Sequence, residues 1–85
     1  MPLFMVERNF SEELQKTPEE FRQINQITNE IGVNWLSSFL SADGKKTYCL
    51  YEAKDTQELR KHAKLFDLPA NEIVEVNQFW PQTSG

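Results

Sequence analysis

The sequence predicts one small α+β domain. Three observations lead to this class: 85 residues are enough for a single core, two capping motifs introduce helical patterns, and four β-rich segments surround them. The order is strand, helix, strand, strand, helix, strand. This order is typical of the ferredoxin-like fold, in which two helices cover one face of a four-stranded antiparallel sheet. We therefore expect a single ferredoxin-like domain over residues 1–85.

The first strand and helix have clear local signals. Apolar residues alternate over Leu3–Asn9, which predicts a strand, and residues 11–16 read as a loop. The segment Thr17-Pro18-Glu19-Glu20 is a capping box with proline at the first helical position, so a helix begins after Thr17. Gly32 supplies the end of this helix. Its predicted apolar stripe consists of Phe21, Ile24, Ile27 and Ile31.

The second half of the chain repeats the pattern with an additional strand. Strands are predicted over Val33–Leu40 and Lys46–Ala53, joined by the turn signal Asp43-Gly44. A second capping box, Asp55 to Glu58, begins a helix that ends before Leu68-Pro69. The last strand is predicted over Ile73–Phe79. The apolar side of the second helix consists of Leu59, Ala63 and Phe66.

Both faces of the predicted sheet are apolar. A sheet covered by helices on one side normally has a polar second face. Alternation instead places Val33, Trp35 and Phe39 on one side of the second strand and Leu36 and Leu40 on the other. We therefore expect a homodimer in which a two-fold axis packs the uncovered faces of two sheets together. The alternative to a dimer is an exposed sheet face with aromatic side chains lying flat on it.

Composition excludes several classes of protein. Nine basic and thirteen acidic residues give a net charge of −4, which argues against a general nucleic-acid-binding protein. No apolar run approaches the roughly 18 residues of a membrane span, and the N-terminus lacks the features of a signal peptide. A single cysteine cannot form an intramolecular disulfide. The expectation is a cytoplasmic protein that binds neither nucleic acid nor membrane.

The sequence contains no recognised catalytic signature, so no catalytic residue is predicted and enzymatic activity is the less favoured interpretation. His62 is the first candidate for binding chemistry. It lies at the margin of the second helix's apolar stripe, where Glu58, four residues earlier, could orient the imidazole of a metal ligand. The alternative is a boundary histidine with a weak surface ion pair.

Two carboxylates and one tyrosine complete the set of candidate residues. Glu52 ends an apolar strand, where a partly desolvated carboxylate needs a cation, a metal or backbone amides. Glu7 is in a similar position on the first strand, and its alternative role is to pair with Arg8 or Lys46. Antiparallel pairing places Glu7 and Glu52 toward opposite ends. Tyr48 belongs to an aromatic group that suits either a small-molecule pocket or a core and dimer interface; the others are Trp35, Tyr51, Phe79 and Trp80.

Five segments in order resemble a family of small bacterial ferredoxin-like domains, some of which are described as nickel-binding proteins. The segments are Phe4–Arg8, Tyr48–Ala53, His62-Ala63, Leu68–Ala70 and Ile73–Val76. The resemblance implies a dimeric α+β fold and nickel held by oxygen and imidazole ligands. It carries His62, Glu52, Tyr48 and Glu7 over as metal ligands. The chain departs from the family at Phe66-Asp67-Leu68, where many members have a glycine, and this difference predicts an altered turn.

Three functions follow as hypotheses. The first is a metal-binding protein with nickel as the ion, although imidazole and carboxylate ligands also suit zinc, cobalt or copper. The second is a non-catalytic dimeric module that binds a small ligand or a protein partner through an aromatic cleft. The third, a small enzyme of the dimeric α+β barrel type, rests on fold analogy alone.

Overall fold

The computed structural model describes residues 1–82. Its elements occur in the predicted order: β1 (Leu3–Asn9), α1 (Pro18–Glu30), β2 (Asn34–Leu40), β3 (Lys46–Glu52), α2 (Thr56–Leu65) and β4 (Glu72–Val76). The last strand is shorter than the sequence predicts, because its pairing with β1 ends at Val76. None of the helices described combines the length and the apolar character that crossing a membrane requires.

The sheet has the strand order β2-β3-β1-β4, and every neighbouring pair is antiparallel. Alternate residues of the central strands are buried on one face, which we call the helix face. There they join Leu59 of α2 in the hydrophobic core. The predicted ferredoxin-like α+β fold is therefore confirmed. The core residues of the sheet are Phe4, Val6, Cys49 and Tyr51.

Both predicted helix starts are present. Thr17 accepts a hydrogen bond from the Glu20 amide at 3.1 Å, and the Glu20 carboxylate accepts one from the Thr17 amide at 3.4 Å, so the capping box is complete. Asp55 accepts from the Glu58 amide at 3.0 Å. The second box lacks its reciprocal half, because the Glu58 side chain lies 3.5 Å from Lys61 Nζ instead.

Both helices end in a Schellman motif. After α1, the amides of Gly32 and Val33 donate to the carbonyls of Asn29 and Thr28. After α2, the amides of Asp67 and Leu68 donate to those of Lys64 and Ala63 in the same pattern. Asp67 has a φ of 53°, the left-handed conformation that glycine favours. The missing glycine therefore does not prevent the usual helix-ending turn.

The buried side of α1 differs from the predicted stripe. Thr28 is completely buried, whereas Ile27 and Ile31 are more than one-third exposed. In α2 the buried residues are Leu59, His62 and Ala63. Thr28 and His62 face each other across the two helices, so a polar pair occupies a position where the periodicity predicted only apolar contacts.

A bulge in β2 corrects the predicted alternation of that strand. Trp35 lies opposite Tyr51 and Ser37 lies opposite Leu50, so Leu36 is an additional residue. Beyond the bulge, Phe39 lies opposite Tyr48 rather than on the side of Trp35. The extra residue reverses the orientation of the remainder of the strand. The predicted grouping of Trp35 with Phe39 is therefore wrong.

The second face of the sheet, which we call the open face, carries many apolar side chains, as predicted. No helix or strand among residues 1–82 covers it. Several of its large side chains are substantially exposed, including Phe39 at 61% and Val74 at 46%. The register places Leu3, Met5, Tyr48, Leu50 and Val76 on the same face.

Candidate functional site

The helix face contains a cavity of about 360 Å³ between α1, the loop before it and the strands β2 and β3. Its walls are mostly apolar, and a single lysine and a single arginine are the charged residues among them. Such a cavity is within the size range of small-molecule sites. The lining residues are Arg8, Phe10, Leu14, Lys16, Phe21, Ile24, Trp35, Ser38, Phe39, Leu40, Thr47, Cys49, Tyr51 and Leu68.

Arg8 is the most unusual residue of this cavity. Its side chain is 2% exposed. One terminal nitrogen donates to the Pro69 carbonyl at 2.6 Å, and the other donates to the Tyr51 hydroxyl at 3.1 Å. Within residues 1–82, no carboxylate forms an ion pair with it. The protein therefore holds a buried cation with only neutral acceptors, which is an expensive arrangement without a counter-ion.

Tyr51 connects Arg8 to the rest of the core. Burial raises the pKa of its hydroxyl to about 12, although the positive charge of Arg8 opposes this shift. The guanidinium carbon lies 5.9 Å from the centre of the Tyr51 ring. Tyr51 is therefore a neutral partner that positions Arg8 and does not cancel its charge.

His62 lies deeper than the sequence predicted. It is 1% exposed, so it has no nitrogen directed to water. Its Nε2 lies 2.8 Å from the Thr28 hydroxyl, which itself lies 2.7 Å from the Ile24 carbonyl. The single proton of the Thr28 hydroxyl is donated to the Ile24 carbonyl, so the hydroxyl oxygen can only accept a hydrogen bond from His62. Nε2 therefore carries the imidazole proton and is the donor to Thr28. Glu58 does not orient the ring, since Glu58 pairs with Lys61.

The environment of His62 favours a neutral imidazole. Its ring packs at 5.4 Å from the Tyr51 ring and at 5.0 Å from the Phe66 ring, measured between ring centres. Burial, with a further contribution from the charge of Arg8, lowers the pKa of His62 to about 4. Its Nδ1 is buried and has no hydrogen-bond partner among residues 1–82. His62 is therefore a buried core histidine in this chain.

The other three predicted ligands lie on the opposite side of the sheet from His62. Glu7 and Tyr48 are cross-strand partners on the open face, and Glu52 pairs with Leu3 at the far end of β3. The expected separation of the two glutamates is thus present. Lys46 Nζ lies 3.5 Å from the Glu7 carboxylate, and Asn34 donates to Glu52 at 3.4 Å.

One chain does not assemble the predicted metal site. Across residues 1–82, no three side chains of histidine, cysteine, aspartate or glutamate are grouped so that they could hold a metal ion. The sheet itself separates His62 from Glu7, Tyr48 and Glu52. The four predicted ligands therefore do not meet at one point within a single chain.

Sequence reasoning missed Arg8 as a site residue, although a signal was present. Phe4, Val6 and Arg8 alternate along β1, and all three are buried on the helix face. The same alternation that places Phe4 in the core therefore places Arg8 there too. A charged residue in register with core residues indicates a special environment.

Fold and cavity together define a small ferredoxin-like α+β protein with a buried cation on the wall of an apolar pocket. Residues 4–76 match the model of the family described as "Nickel responsive protein SCO4226-like", and the chain belongs to that family. This confirms the resemblance found in the sequence.

A solved structure supports the fold. The chain is similar to the protein in the crystal structure analysis of SCO4226 from Streptomyces coelicolor A3(2), with a TM-score of 0.70 and 18% identity. The similarity covers 92% of this chain and 99% of the other. No curated protein matches the sequence.

Proposed function

We propose that this protein is a non-catalytic binding protein whose ligand is a small organic molecule held in the Arg8 cavity. The observation that carries the proposal is the cavity itself, about 360 Å³ of mostly apolar space with a buried guanidinium on its wall. Apolar walls with a few fixed polar groups are typical of small-molecule sites. Within residues 1–82, the cavity lining contains Ser38 and Cys49 but no histidine, aspartate or glutamate that could act on them as a general base, which favours binding over catalysis.

Filling the cavity tests this function. Ser38 lines it, and the neighbouring Ser37 does not. Isotope-labelled protein would be titrated with two small aromatic probes, cinnamate and cinnamamide, and followed by amide NMR. We expect saturable shifts at Phe10, Phe21 and Cys49 with at least one probe. Ser38→Phe should abolish them, and Ser37→Phe should retain them. The proposal is wrong if neither probe binds or if Ser38→Phe binds normally.

Nickel binding is the second candidate function, and the family's description favours it. Because one chain lacks a complete ligand set, we propose that a nickel site uses the open face in a homodimer. Glu7, Tyr48 and Glu52 lie on that face, and a second copy packed against it doubles the number of carboxylates. His62 has no part in such a site, since it is buried on the other side of the sheet.

Calorimetry on protein without a polyhistidine tag tests the nickel site. Glu7→Gln removes a carboxylate charge from the open face, and Glu19→Gln makes the same change on an exposed turn of α1. We expect nickel binding to weaken at least about tenfold in Glu7→Gln, because a charged ligand is lost. It should be unchanged in Glu19→Gln and in His62→Gln. Equal affinities in all four proteins would refute the site, as would an absence of nickel binding.

A further inference from the structure

We propose that the ligand of the Arg8 cavity is a small aromatic carboxylate, with its carboxylate on the Arg8 guanidinium and its ring between the apolar walls. The inference rests on the proposed function of binding a small organic molecule, and it adds the chemical class of that molecule. Charge, unused hydrogen-bond donors and wall composition support it separately.

The charge of the cavity is opposite to that of the whole protein. The chain has thirteen acidic and nine basic residues. Among residues 1–82, the charged residues that line the cavity are Arg8 and Lys16, and no aspartate or glutamate lines it. Lys16 lies 4.0 Å from the Glu20 carboxylate, so the Arg8 guanidinium is the main source of positive charge in the cavity, and it favours anions over organic cations. Arg8 also lacks an anionic partner among residues 1–82, so a bound carboxylate would compensate its buried charge.

The hydrogen bonds of Arg8 leave donors available. A guanidinium has five N–H donors. Each terminal nitrogen of Arg8 uses one N–H in the contacts described above: one donates to the Pro69 carbonyl and the other donates to the Tyr51 hydroxyl. These two contacts hold the planar group in place and leave further N–H groups for an acceptor. A carboxylate matches such a group because its two oxygens can accept two N–H bonds at once.

The walls of the cavity favour an aromatic ring over a polar body. Phe10, Phe21 and Trp35 line it. Phe21 and Trp35 already form an edge-to-face pair with ring centres 6.0 Å apart, an arrangement that accommodates further rings. The Trp35 indole N–H donates to the Ser38 hydroxyl at 2.7 Å, so a ligand does not need to supply an acceptor for it. The cavity is large enough for one or two rings with a short acidic side chain.

A matched pair of ligands tests the class of ligand. Cinnamate and cinnamamide have the same ring and chain, and they differ in the charge of the terminal group. Calorimetric titration of the intact chain should show cinnamate binding at least about tenfold more tightly than cinnamamide, the effect of a charge-assisted contact in a buried site. Arg8→Gln should remove this preference. Arg60→Gln, the same change on an exposed residue outside the cavity, should retain it.

The outcomes separate this inference from the proposed function. Equal binding of the two probes by the unaltered chain overturns the carboxylate class and leaves small-molecule binding intact. Binding of neither probe at millimolar concentration overturns both. Because the comparison uses the unaltered chain, it remains decisive even if Arg8→Gln fails to fold. A preference for cinnamate that persists in Ser38→Phe would place the anion outside the cavity and would also overturn the inference.

Discussion

His62 shows how a single residue can be easy to notice in a sequence and hard to interpret. It is the only histidine of the chain, and its neighbours on α2 suggested a partly exposed metal ligand. The deciding partner is Thr28, thirty-four positions earlier in the chain, whose hydroxyl accepts a hydrogen bond from Nε2. The position of its proton therefore depends on Thr28 of α1, and its burial depends on Tyr51 of β3 as well as on its own helix.

The buried, neutral state of His62 predicts a pH dependence of stability. The pKa of His62 falls from 6.5 to about 4 on folding, so between these values the unfolded chain binds more protons. The free energy of unfolding should therefore decrease as the pH falls through this range. We expect the contribution of His62 to fall by about 3 kcal/mol from about pH 7 to about pH 4.

Urea denaturation across this pH range, with His62→Gln beside the unaltered chain, measures the effect. The variant retains every carboxylate, so the difference between the two curves isolates the imidazole. Parallel curves would show that the imidazole is not held neutral. A single histidine signal that titrates near pH 6.5 by NMR would contradict the prediction independently.

At the scale of elements, the ends of the two helices offer a natural comparison. Each ends in a Schellman motif, with Gly32 in the left-handed position after α1 and Asp67 in that position after α2. Aspartate tolerates this conformation better than most residues but less well than glycine. The turn that leads from α2 to Pro69, whose carbonyl accepts from Arg8, therefore contains mild backbone strain.

Replacing Asp67 should reveal this strain. We expect Asp67→Gly to raise the free energy of unfolding by about 0.5–1 kcal/mol, and Asp67→Ala to lower it by a similar amount. Midpoints of urea unfolding for the three proteins would give the order glycine, aspartate, alanine. Gly32→Ala serves as the reference for the same motif, and it should be destabilised. A glycine variant less stable than the unaltered chain would contradict the assignment.

Local signals predicted the elements well, and long-range contacts decided what they could not predict. Thr17 and Asp55 begin the helices as expected, because a cap depends on residues within one turn. The extra residue Leu36 in β2 could not be found by alternation, since a bulge is defined by the register with β3. The predicted exposure of His62 was wrong for a similar reason, because its buried contacts include Thr28, a residue distant in sequence. Arg8 was predictable from the alternation of β1, whereas its lack of an acidic partner required the fold.

At the scale of the whole molecule, the open face of the sheet is the surface best suited to a second copy of the chain. No element of the described residues covers it, and it groups several exposed apolar side chains, including Phe39 and Val74, beside the carboxylates of Glu7 and Glu52. A second copy placed on it by a two-fold axis would cover the same residues in both chains. The proposed nickel site and the proposed dimer therefore depend on one surface, whereas the Arg8 cavity lies on the other side of the sheet.

Matched substitutions on two surfaces test the dimer. Val74 lies on the open face and is 46% exposed, and Leu65 lies on α2 and is 60% exposed. We expect light scattering at micromolar concentration to show a dimer for the unaltered chain and for Leu65→Lys. Val74→Lys should give the mass of one chain, because it introduces a charge into the apolar interface. A monodisperse monomer of the unaltered chain would refute the proposal.

The bulge in β2 also has a consequence for aggregation. β2 is an edge strand, and the unpaired N–H and C=O groups of a regular edge are a template on which a strand of another molecule can add. The extra residue Leu36 interrupts the even spacing of those groups and increases the local twist. A chain without Leu36 would present a straighter edge rich in aromatic and aliphatic side chains. Such a chain should form fibrillar aggregates more readily, even where its folded state is equally stable.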